Sequence, residues 1–376
     1  MRIIHIGDCQ LGYRQYGLKQ RETDFFAATT YVVDKAIELH KEGPEVGVFI
    51  WPGDMFEHAK PHGYVVQYLQ RQVTRLRNAG IPSIGVSGNH GASASWLEVC
   101  GIHTFLSVHD VWEKDGISFF GINNCPAGQF MEKLEDDVLL LGAEVESIDV
   151  LIIHQSLAEL CGFPGVQLSA EEMVPLLQTV NTRYVAMGDI HELKVADFGG
   201  VKFAYPGATE VNDTAEPKNK HFLEVNITKE SGPAVVIHDI PVRKIISAVI
   251  LAEKEMDKVI NSLRGSNCLA IVYVHRDIVN GLQRVQQRLK EAEVMNRVTL
   301  LDKDEDGDAP SILSDAAKRK RWERKESLIN IREVVTETYA EDSDEHHLIL
   351  QALSRPGAID DVVNDFLVTK GLGQNE

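Results

Sequence analysis

Apolar residues in the first half of the chain fall into short runs that are separated by stretches of helical spacing. Five runs are apolar and rich in strand-forming residues, which is typical of buried strands, at residues 3–6, 46–50, 83–86, 150–153 and 184–187. Two longer stretches, 21–42 and 64–79, have the length and periodicity of helices, and Gly80 ends the second one. This alternation predicts a layered α/β domain.

The pattern changes twice in the second half of the chain. From 194 to 240, short apolar runs are separated by turn residues, which predicts a second sheet packed on the first. A strand, helix, strand and helix then follow at 245–251, 253–263, 269–275 and 278–293, enough for a small α+β domain. We therefore predict a first domain at residues 1–240, a second at 241–301, an acidic linker at 302–317 and a helical region at 318–376.

Composition and charge limit the classes of protein that fit. The chain has 376 residues, 44% hydrophobic and 25% charged, which is enough for a full globular core and a smaller domain. Because 56 acidic residues outnumber 38 basic ones, the net charge of −18 excludes general attraction to nucleic acid or to an anionic membrane. Any polyanion must be held by a local site, a metal or a partner.

Three sequence features bear on where the protein is located and on the state of its cysteines: apolar runs, the first residues and the cysteine spacing. No apolar run approaches the roughly 20 residues that span a bilayer, and the first residues read as a strand rather than as a signal peptide. We therefore expect a cytoplasmic protein without a membrane partner. The five cysteines are widely spaced and contain no CxxC pair, which argues against a disulfide framework and against a structural zinc site.

Polar residues follow each of the five predicted strands at the point where the strand ends. In chain order they are Asp8 and Gln10, Asp54, Asn89 and His90, His154, and finally Asp189 and His191. Carboxyl ends of neighbouring strands in an open α/β sheet meet at one crevice, where ligands bind. Positions i and i+2 of an extended chain project the same way, and position i+1 projects oppositely. We therefore expect Asp8 and Gln10 to point at one spot, and Asp189 and His191 to do the same, while Cys9 and Ile190 point into the core.

These residues form a mixed oxygen and nitrogen set of three carboxylates, two amides and two or three imidazoles. Such a set suits manganese, iron or zinc better than calcium, and it is large enough for two ions that share a carboxylate. Gly53 and Gly88 favour sharp backbone turns beside a crowded centre. Any one of these residues alone is more often a turn or a satisfied core residue, so the prediction depends on their joint order.

That order resembles the calcineurin-like metallophosphoesterase superfamily. Residues 5–22 (HIGDCQLGYRQYGLKQRE), 82–91 (PSIGVSGNHG), 188–191 and 205–210 (YPGATE) are similar to the SbcD-type nucleases, which pair with an SMC-like ATPase in double-strand-break repair. The resemblance implies an α/β fold, with a layered two-sheet metallophosphoesterase domain, a small α+β capping domain and C-terminal helices.

The resemblance also implies a role for each site residue. The first metal ion would be held by Asp8, Gln10, Asp54 and His191, and the second by Asp54, Asn89, His154 and Asp189. Asp54 would bridge the two ions, while His90 would contact the phosphate or the leaving group as electrophile and general acid. Glu57 stands where the family places a polar residue near the site.

The chain departs from the family pattern at three positions. Gln10 and Asp189 replace histidines, and Gly91 replaces an aspartate. Asp189 adds negative charge, which favours harder ions such as Mn²⁺ or Mg²⁺. Gln10 is a weaker substitute, because a neutral amide oxygen binds a divalent cation less well than imidazole.

The function that the resemblance implies is that of a metal-dependent DNA exonuclease and endonuclease subunit. It would use two divalent ions, Mn²⁺ before Mg²⁺, to hydrolyse phosphodiester bonds at DNA ends or hairpins in double-strand-break processing, recombination or replication. Two alternatives stay open: a DNA-end-binding subunit without catalysis, and a small-molecule phosphodiesterase of the same superfamily.

The partner predictions concern the end of the chain and one helix. Residues 318–325 carry six basic side chains and could touch DNA phosphates or form a solvated helix face. Apolar residues between 328 and 367 recur at helical spacing, and in the resembling family this region docks on the SbcC-type ATPase; packing back on the capping domain is the alternative. No GxxxxGK[ST] motif occurs, so the ATPase would be a separate chain. Family members commonly form homodimers, for which 64–79 is the candidate helix.

Overall fold

Two six-stranded sheets and one three-stranded sheet make up the described part of the protein. The structure is a computed structural model, and it describes residues 1–90, 94–145, 147–161, 168–214 and 216–301. The predicted linker at 302–317, the helical region at 318–376 and Gly91 therefore lie outside the described residues. None of the described helices is long and apolar enough to cross a membrane.

The first sheet is built on four parallel strands from the first third of the chain. Its order is β12-β11-β1-β2-β3-β4. The strands are β1 (Arg2–His5), β2 (Val46–Trp51), β3 (Ser83–Gly85), β4 (His103–Thr104), β11 (Lys220–Asn226) and β12 (Ala234–Ile240). Strands β1 to β4 are parallel, whereas β11 pairs antiparallel with β1.

The second sheet is centred on two parallel strands, and its order is β5-β6-β7-β8-β10-β9. The strands are β5 (Trp112–Lys114), β6 (Ile117–Ile122), β7 (Val150–His154), β8 (Tyr184–Gly188), β9 (Lys194–Phe198) and β10 (Val201–Tyr205). The helices before and between these strands are α1 (Lys19–Glu42), α2 (Gly63–Asn78), α3 (Ala94–Cys100), α4 (Ala127–Glu144), α5 (Ala158–Cys161) and α6 (Ala170–Thr179).

The sheets and helices form layers because the first sheet is buried on both faces. Ile3 and Val48 pack in one cluster with the second sheet and with α4 and α6. Their neighbours Ile4 and Phe49 pack instead against α1 and α2. Alternate side chains of one strand thus enter different cores, which explains the continuous apolar runs in the sequence. The predicted layered α/β fold is confirmed.

The prediction that residues 194–240 form a second sheet of their own is wrong. Strands β9 and β10 extend the second sheet next to β8, while β11 and β12 return to the first sheet next to β1. Strand pairing here depends on partners far away in the sequence, so local turn signals mark the strands but not the sheet that each one joins.

Residues 245–300 form a separate, fully parallel sheet with the order β13-β14-β15. Its elements are β13 (Ile245–Ile250), α7 (Met256–Leu263), β14 (Leu269–Val274), α8 (Gly281–Glu291) and β15 (Met295–Leu300). The four predicted elements are present, but the pattern did not predict β15. That strand is half-exposed along its length and carries no continuous apolar run.

Candidate metal centre

Residues from the ends of both large sheets meet at one place. Strands β1, β2 and β3 of the first sheet lead to Asp8, Asp54 and Asn89, while β7 and β8 of the second sheet lead to His154 and Asp189. Side chains of the two sheets contact each other here. Nε2 of His154 lies 3.4 Å from Oδ2 of Asp54 across the two sheets.

The centre of this cluster is formed by Asp8, Asp54 and His154. These side chains belong to residues that are 1%, 5% and 1% exposed, and one ligand atom from each lies within 4.8 Å of the others. Two further predicted residues border them: Nε2 of Gln10 donates to Oδ2 of Asp54 at 3.2 Å, and Nε2 of His191 lies 3.4 Å from Oδ2 of Asp8.

Asp189 and Asn89 complete the cluster on the side of His154. Oδ1 of Asp189 lies 3.7 Å from Nε2 of His154 and accepts a hydrogen bond of 2.8 Å from Nδ2 of Asn89. The backbone N–H of Asp189 donates to Asp8 at 3.2 Å. The structure therefore brings all seven predicted ligands into one cluster.

Two buried polar atoms in the cluster have no hydrogen-bond partner among the described residues: Nε2 of His154 and Oε1 of Gln10. A buried polar atom without a partner is costly and rare in native proteins. Nδ1 of His154 is 2.9 Å from the carbonyl of Pro52 and donates to it, so the lone pair is on Nε2 whenever the ring is neutral, as it is in a metal ligand. Both unpaired atoms are of the kind that a divalent cation binds, and the residues present fit such an ion.

Comparison with known proteins agrees with this geometry. A family model described as calcineurin-like phosphoesterase matches residues 1–193 of the 376. The chain belongs to the calcineurin-like phosphoesterase family. This family fold implies divalent metal ions, for which Asp8, Asp54 and His154 provide a candidate site.

Several relatives are DNA repair proteins. The chain is 30% identical over 209 residues to the DNA double-strand break repair protein Mre11 of Sulfurisphaera tokodaii, covering 53% of this chain and 51% of that one. It is 25% identical over 399 residues to the protein of the same name from Saccharolobus solfataricus, covering 98% of each chain. The chain thus spans about half of the first relative, and the similarity to repair nucleases of the SbcD type is confirmed.

Solved structures add only a distant likeness. The Vacuolar Protein Sorting 29 structure from Cryptosporidium parvum aligns with 64% of this chain and 97% of its own, with a TM-score of 0.31 and 12% identity.

Three of the predicted ligand residues have strained backbone. Gln10 and Asp54 have φ of 46°, and Asp189 has φ of 97°, values that residues with a Cβ rarely adopt. The expectation that 8–10 and 189–191 run extended is therefore wrong, since the chain turns at these points. Cys9 and Ile190 are nevertheless buried, as expected.

Two glycines allow the close approach of the ligands. At Gly53, where φ is +117°, a Cβ would lie 2.0 Å from Nδ1 of His154. At Gly88 a Cβ would lie 2.0 Å from Oδ1 of Asp54. Any larger residue would have to displace a predicted ligand, so both positions are crowded as expected, while the predicted sharp turn is marked by a positive φ at Gly53 alone of the two.

The buried charged groups of the cluster shift one another's pKa values. Burial raises the pKa of Asp8 to about 6, against the opposing effect of the two histidines. Burial alone would lower the pKa of His154, but the carboxylates of Asp54, Asp8 and Asp189 raise it to about 9. In Asp54 the effect of burial is outweighed by His154 and by the backbone of His90, so its pKa is lowered. The imidazolium of His154 thus balances carboxylate charge that a divalent ion could balance instead.

His90 lies on the exposed side of the centre, with a side chain that is 38% exposed. Its backbone N–H donates to Oδ1 of Asp54 at 3.0 Å, and its Nδ1 lies 3.0 Å from the carbonyl oxygen of Glu57. The carboxylate of Glu57 is 3.7 Å from the same nitrogen, and burial raises its pKa. Nε2 of His90, 3.5 Å from Oδ2 of Asp54, is thereby left to face the centre.

Two residues next to the ligands were missed by sequence reasoning. Oε1 of Glu216 lies 2.7 Å from Nδ1 of His191, and Oγ of Ser156 donates to Oδ2 of Asp189 at 2.5 Å. Both lie outside strands and helices, in polar segments without a periodic pattern. Nothing in a single sequence links position 216 to position 191.

Proposed function

We propose that this phosphoesterase is a metal-dependent DNA nuclease subunit of the SbcD type, which hydrolyses phosphodiester bonds at DNA ends or hairpins during break processing, recombination or replication. The observation that carries the proposal is the cluster of seven ligand-type residues around two buried atoms without partners, Nε2 of His154 and Oε1 of Gln10. The names of the relatives support DNA as the substrate and repair as the setting.

The residues divide into two ligand sets for two divalent ions, Mn²⁺ before Mg²⁺. Asp8, Gln10 and His191 would hold one ion, Asn89, His154 and Asp189 would hold the other, and Asp54 would be shared between them. When bound, such ions activate a water molecule and offset the charge on the phosphate. Asp54 suits the shared role because both of its neighbours, Gln10 and His154, approach the same oxygen, Oδ2.

His90 acts on the phosphate or on the leaving group. Its Nδ1 donates to the carbonyl of Glu57, which fixes the ring and leaves Nε2 toward the centre. A proton on Nε2 can then be donated to a phosphate oxygen or to the departing oxygen. Glu57 stays a proposed contributor, since its carboxylate faces the nitrogen that would carry positive charge in the imidazolium.

The remaining parts of the chain have proposed roles as well. Residues 1–240 form the nuclease domain, 241–301 cap it, 302–317 link it to the last region, and 318–376 bind an SMC-like ABC ATPase of the SbcC type. A homodimer would form through the helix at 64–79.

A second candidate is a DNA-end-binding subunit that does not cleave. It is favoured by Gln10 and Asp189, because each ion loses the imidazole that the family provides at that position. The amide of Gln10 already uses its nitrogen on Asp54, so only Oε1 is free to bind an ion.

Cleavage of a labelled DNA hairpin by the full chain in Mn²⁺ tests these candidates. The wild type should cut the hairpin, and His90→Ala should not, while His238→Ala provides a matched control at a histidine that pairs with Glu224 outside the cluster. Binding without cleavage would favour the end-binding subunit. Cleavage of a small model diester but not of the hairpin would favour a small-molecule phosphodiesterase.

A further inference from the structure

Glu216 uses both of its carboxylate oxygens on groups that adjoin the centre. Oε1 accepts a hydrogen bond of 2.7 Å from Nδ1 of His191. Oε2 accepts a hydrogen bond of 2.6 Å from Nζ of Lys220 and one of 3.1 Å from the backbone N–H of Asn212. The side chains of Glu216 and Lys220 are only 13% and 1% exposed, so these contacts are not those of a solvated surface pair.

The contact with Glu216 determines which nitrogen of His191 faces the centre. The two ring nitrogens point in different directions, and Nε2 lies 3.4 Å from Oδ2 of Asp8. Because a carboxylate can only accept a hydrogen bond, Nδ1 must carry the proton, and the lone pair of the neutral ring is then on Nε2. This is the tautomer that a metal ligand needs at Nε2.

Lys220 contacts both the carboxylate of Glu216 and the backbone of His191. Its Nζ donates to the carbonyl of His191 at 3.2 Å as well as to Glu216. Lys220 begins β11 of the first sheet, whereas His191 follows β8 of the second sheet. The buried ammonium group therefore fixes both the carboxylate that holds the ring and the backbone that carries it.

We propose that Glu216 is a positioning residue, which holds His191 with Nε2 toward Asp8, and that Lys220 holds Glu216 in place. The proposal rests on the proposed function, because it needs a centre that binds divalent ions. Partners of this kind on ligating histidines typically change metal affinity by about 10- to 100-fold when they are mutated.

Binding of Mn²⁺ to the full chain, followed by calorimetry and by the free-ion EPR signal, tests the proposal. Glu216→Gln should weaken one of two bound ions by about 10- to 100-fold and leave the other unchanged. Lys220→Met should weaken the same ion. Glu224→Gln is the matched control, since Glu224 also pairs with a histidine and a basic residue, His238 and Arg2, outside the cluster; its Mn²⁺ affinity should equal that of the wild type.

A second measurement reads the ring of His191 in the wild type itself. Long-range ¹H–¹⁵N spectra in EDTA, recorded at a pH high enough for this ring to be neutral, should show its proton on Nδ1, and a folded Glu216→Gln variant should lose this preference. A Glu216→Gln chain with lower thermal stability but unchanged Mn²⁺ affinity would show a merely structural pair and overturn the proposal. A neutral ring in the wild type with its only proton on Nε2 would also overturn it.

The results separate this proposal from the one on which it rests. A wild-type chain that binds no Mn²⁺ would reject both the metal centre and the role of Glu216. A wild type that binds two ions, together with a Glu216→Gln variant that binds them equally well, would reject only the positioning role.

Discussion

Gln10 is the predicted ligand at which the proposed centre departs most in ligand strength from the pattern of the resembling family. Its nitrogen donates to Asp54, and its oxygen is buried without a partner, so the side chain is already oriented as an oxygen ligand. An imidazole binds a divalent transition ion more tightly than a neutral amide oxygen does. In the proposed centre, an amide at position 10 would therefore lower the affinity for one ion without removing the site.

Gln10→His should strengthen the binding of Mn²⁺ by roughly tenfold, which corresponds to about 1.4 kcal/mol. Titration calorimetry on the full chain measures the change. Gln287→His, which adds a histidine to the exposed face of α8, serves as the control and should leave the affinity unchanged. Equal affinity in wild type and Gln10→His would mean that position 10 does not contribute a ligand.

The pKa values of Asp8 and His154 predict how the effect of metal on stability varies with pH. Both are raised in the folded protein, from 3.8 to about 6 and from 6.5 to about 9. At these two side chains the folded state therefore binds more protons than the unfolded state between about pH 4 and 9, and without metal their contribution to stability falls as pH rises. Divalent ions displace these protons, so their stabilising effect grows over the same range.

We accordingly expect the gain in the free energy of unfolding on adding excess Mn²⁺ to be larger at pH 8.5 than at pH 6. Urea unfolding followed by circular dichroism, in EDTA and in Mn²⁺ under nitrogen, measures this gain at each pH. His238→Ala should show the same dependence as the wild type. A gain that is independent of pH would mean that Asp8 and His154 do not bind the ion.

At the scale of residues, the sequence predicts the ligands better than it predicts how they are held. Asp8, Asp54 and His154 are recognisable because each follows an apolar run, and parallel strands carry their ends to one place. The turns at Gln10 and Asp189 are not recognisable, because positive φ in a residue with a Cβ depends on the surrounding structure. Contacts such as that of Glu216 arise between loops and leave no periodic signal.

At the scale of elements, side chains of two sequence motifs, 5–22 and 205–210, take part in one buried network of hydrogen bonds and ion pairs. Arg21 lies in the first turn of α1 and is fully buried. Its guanidinium donates hydrogen bonds to Asp24, to Gln15 and to the backbone carbonyl of Val211. It also pairs with Glu210 at 3.2 Å. The motifs at 5–22 and 205–210 are thus joined by an ion pair, which anchors the loops on both sides of the centre.

Arg21→Met should destabilise the protein by about 3–5 kcal/mol, because it leaves the buried carboxylate of Glu210 without its counter-ion. Arg284→Met is the matched control, since Arg284 pairs with Glu253 at the surface and should cost less than about 1 kcal/mol. Urea unfolding curves of both variants give the difference. Similar small losses for the two variants would show that the Arg21 network is dispensable.

The elements that the sequence predicts are those whose signal is local. The helices at 21–42 and 64–79 are present within two residues of their predicted bounds, because both bury an apolar face against the first sheet. β6 was missed although all six of its residues are buried, and Gly121 interrupts its apolar run. At position 121 a Cβ would lie 2.3 Å from the ring of Phe105, so packing in the fold requires a glycine here. This contact cannot be recognised in the sequence.

At the scale of the whole molecule, the net charge of −18 opposes the approach of DNA. The proposed nuclease must therefore obtain much of its attraction for phosphate from ions held by Asp8, Asp54 and their neighbours. Ion-mediated contact at one centre involves few phosphates, whereas a basic surface would contact many and release many counter-ions. The dependence of DNA affinity on metal and on salt distinguishes these two modes of binding.

Hairpin binding by the His90→Ala variant of the 376-residue chain should accordingly be weak in EDTA and stronger in Mn²⁺. In Mn²⁺ the slope of the logarithm of affinity against that of salt concentration should be about −2 or shallower, as expected for roughly two neutralised phosphates. Fluorescence anisotropy at 50 to 200 mM salt, with constant free Mn²⁺, measures both quantities. A steep slope with no metal dependence would instead assign the binding to basic segments such as 318–325, because only a run of cations could then overcome the acidic charge of the chain.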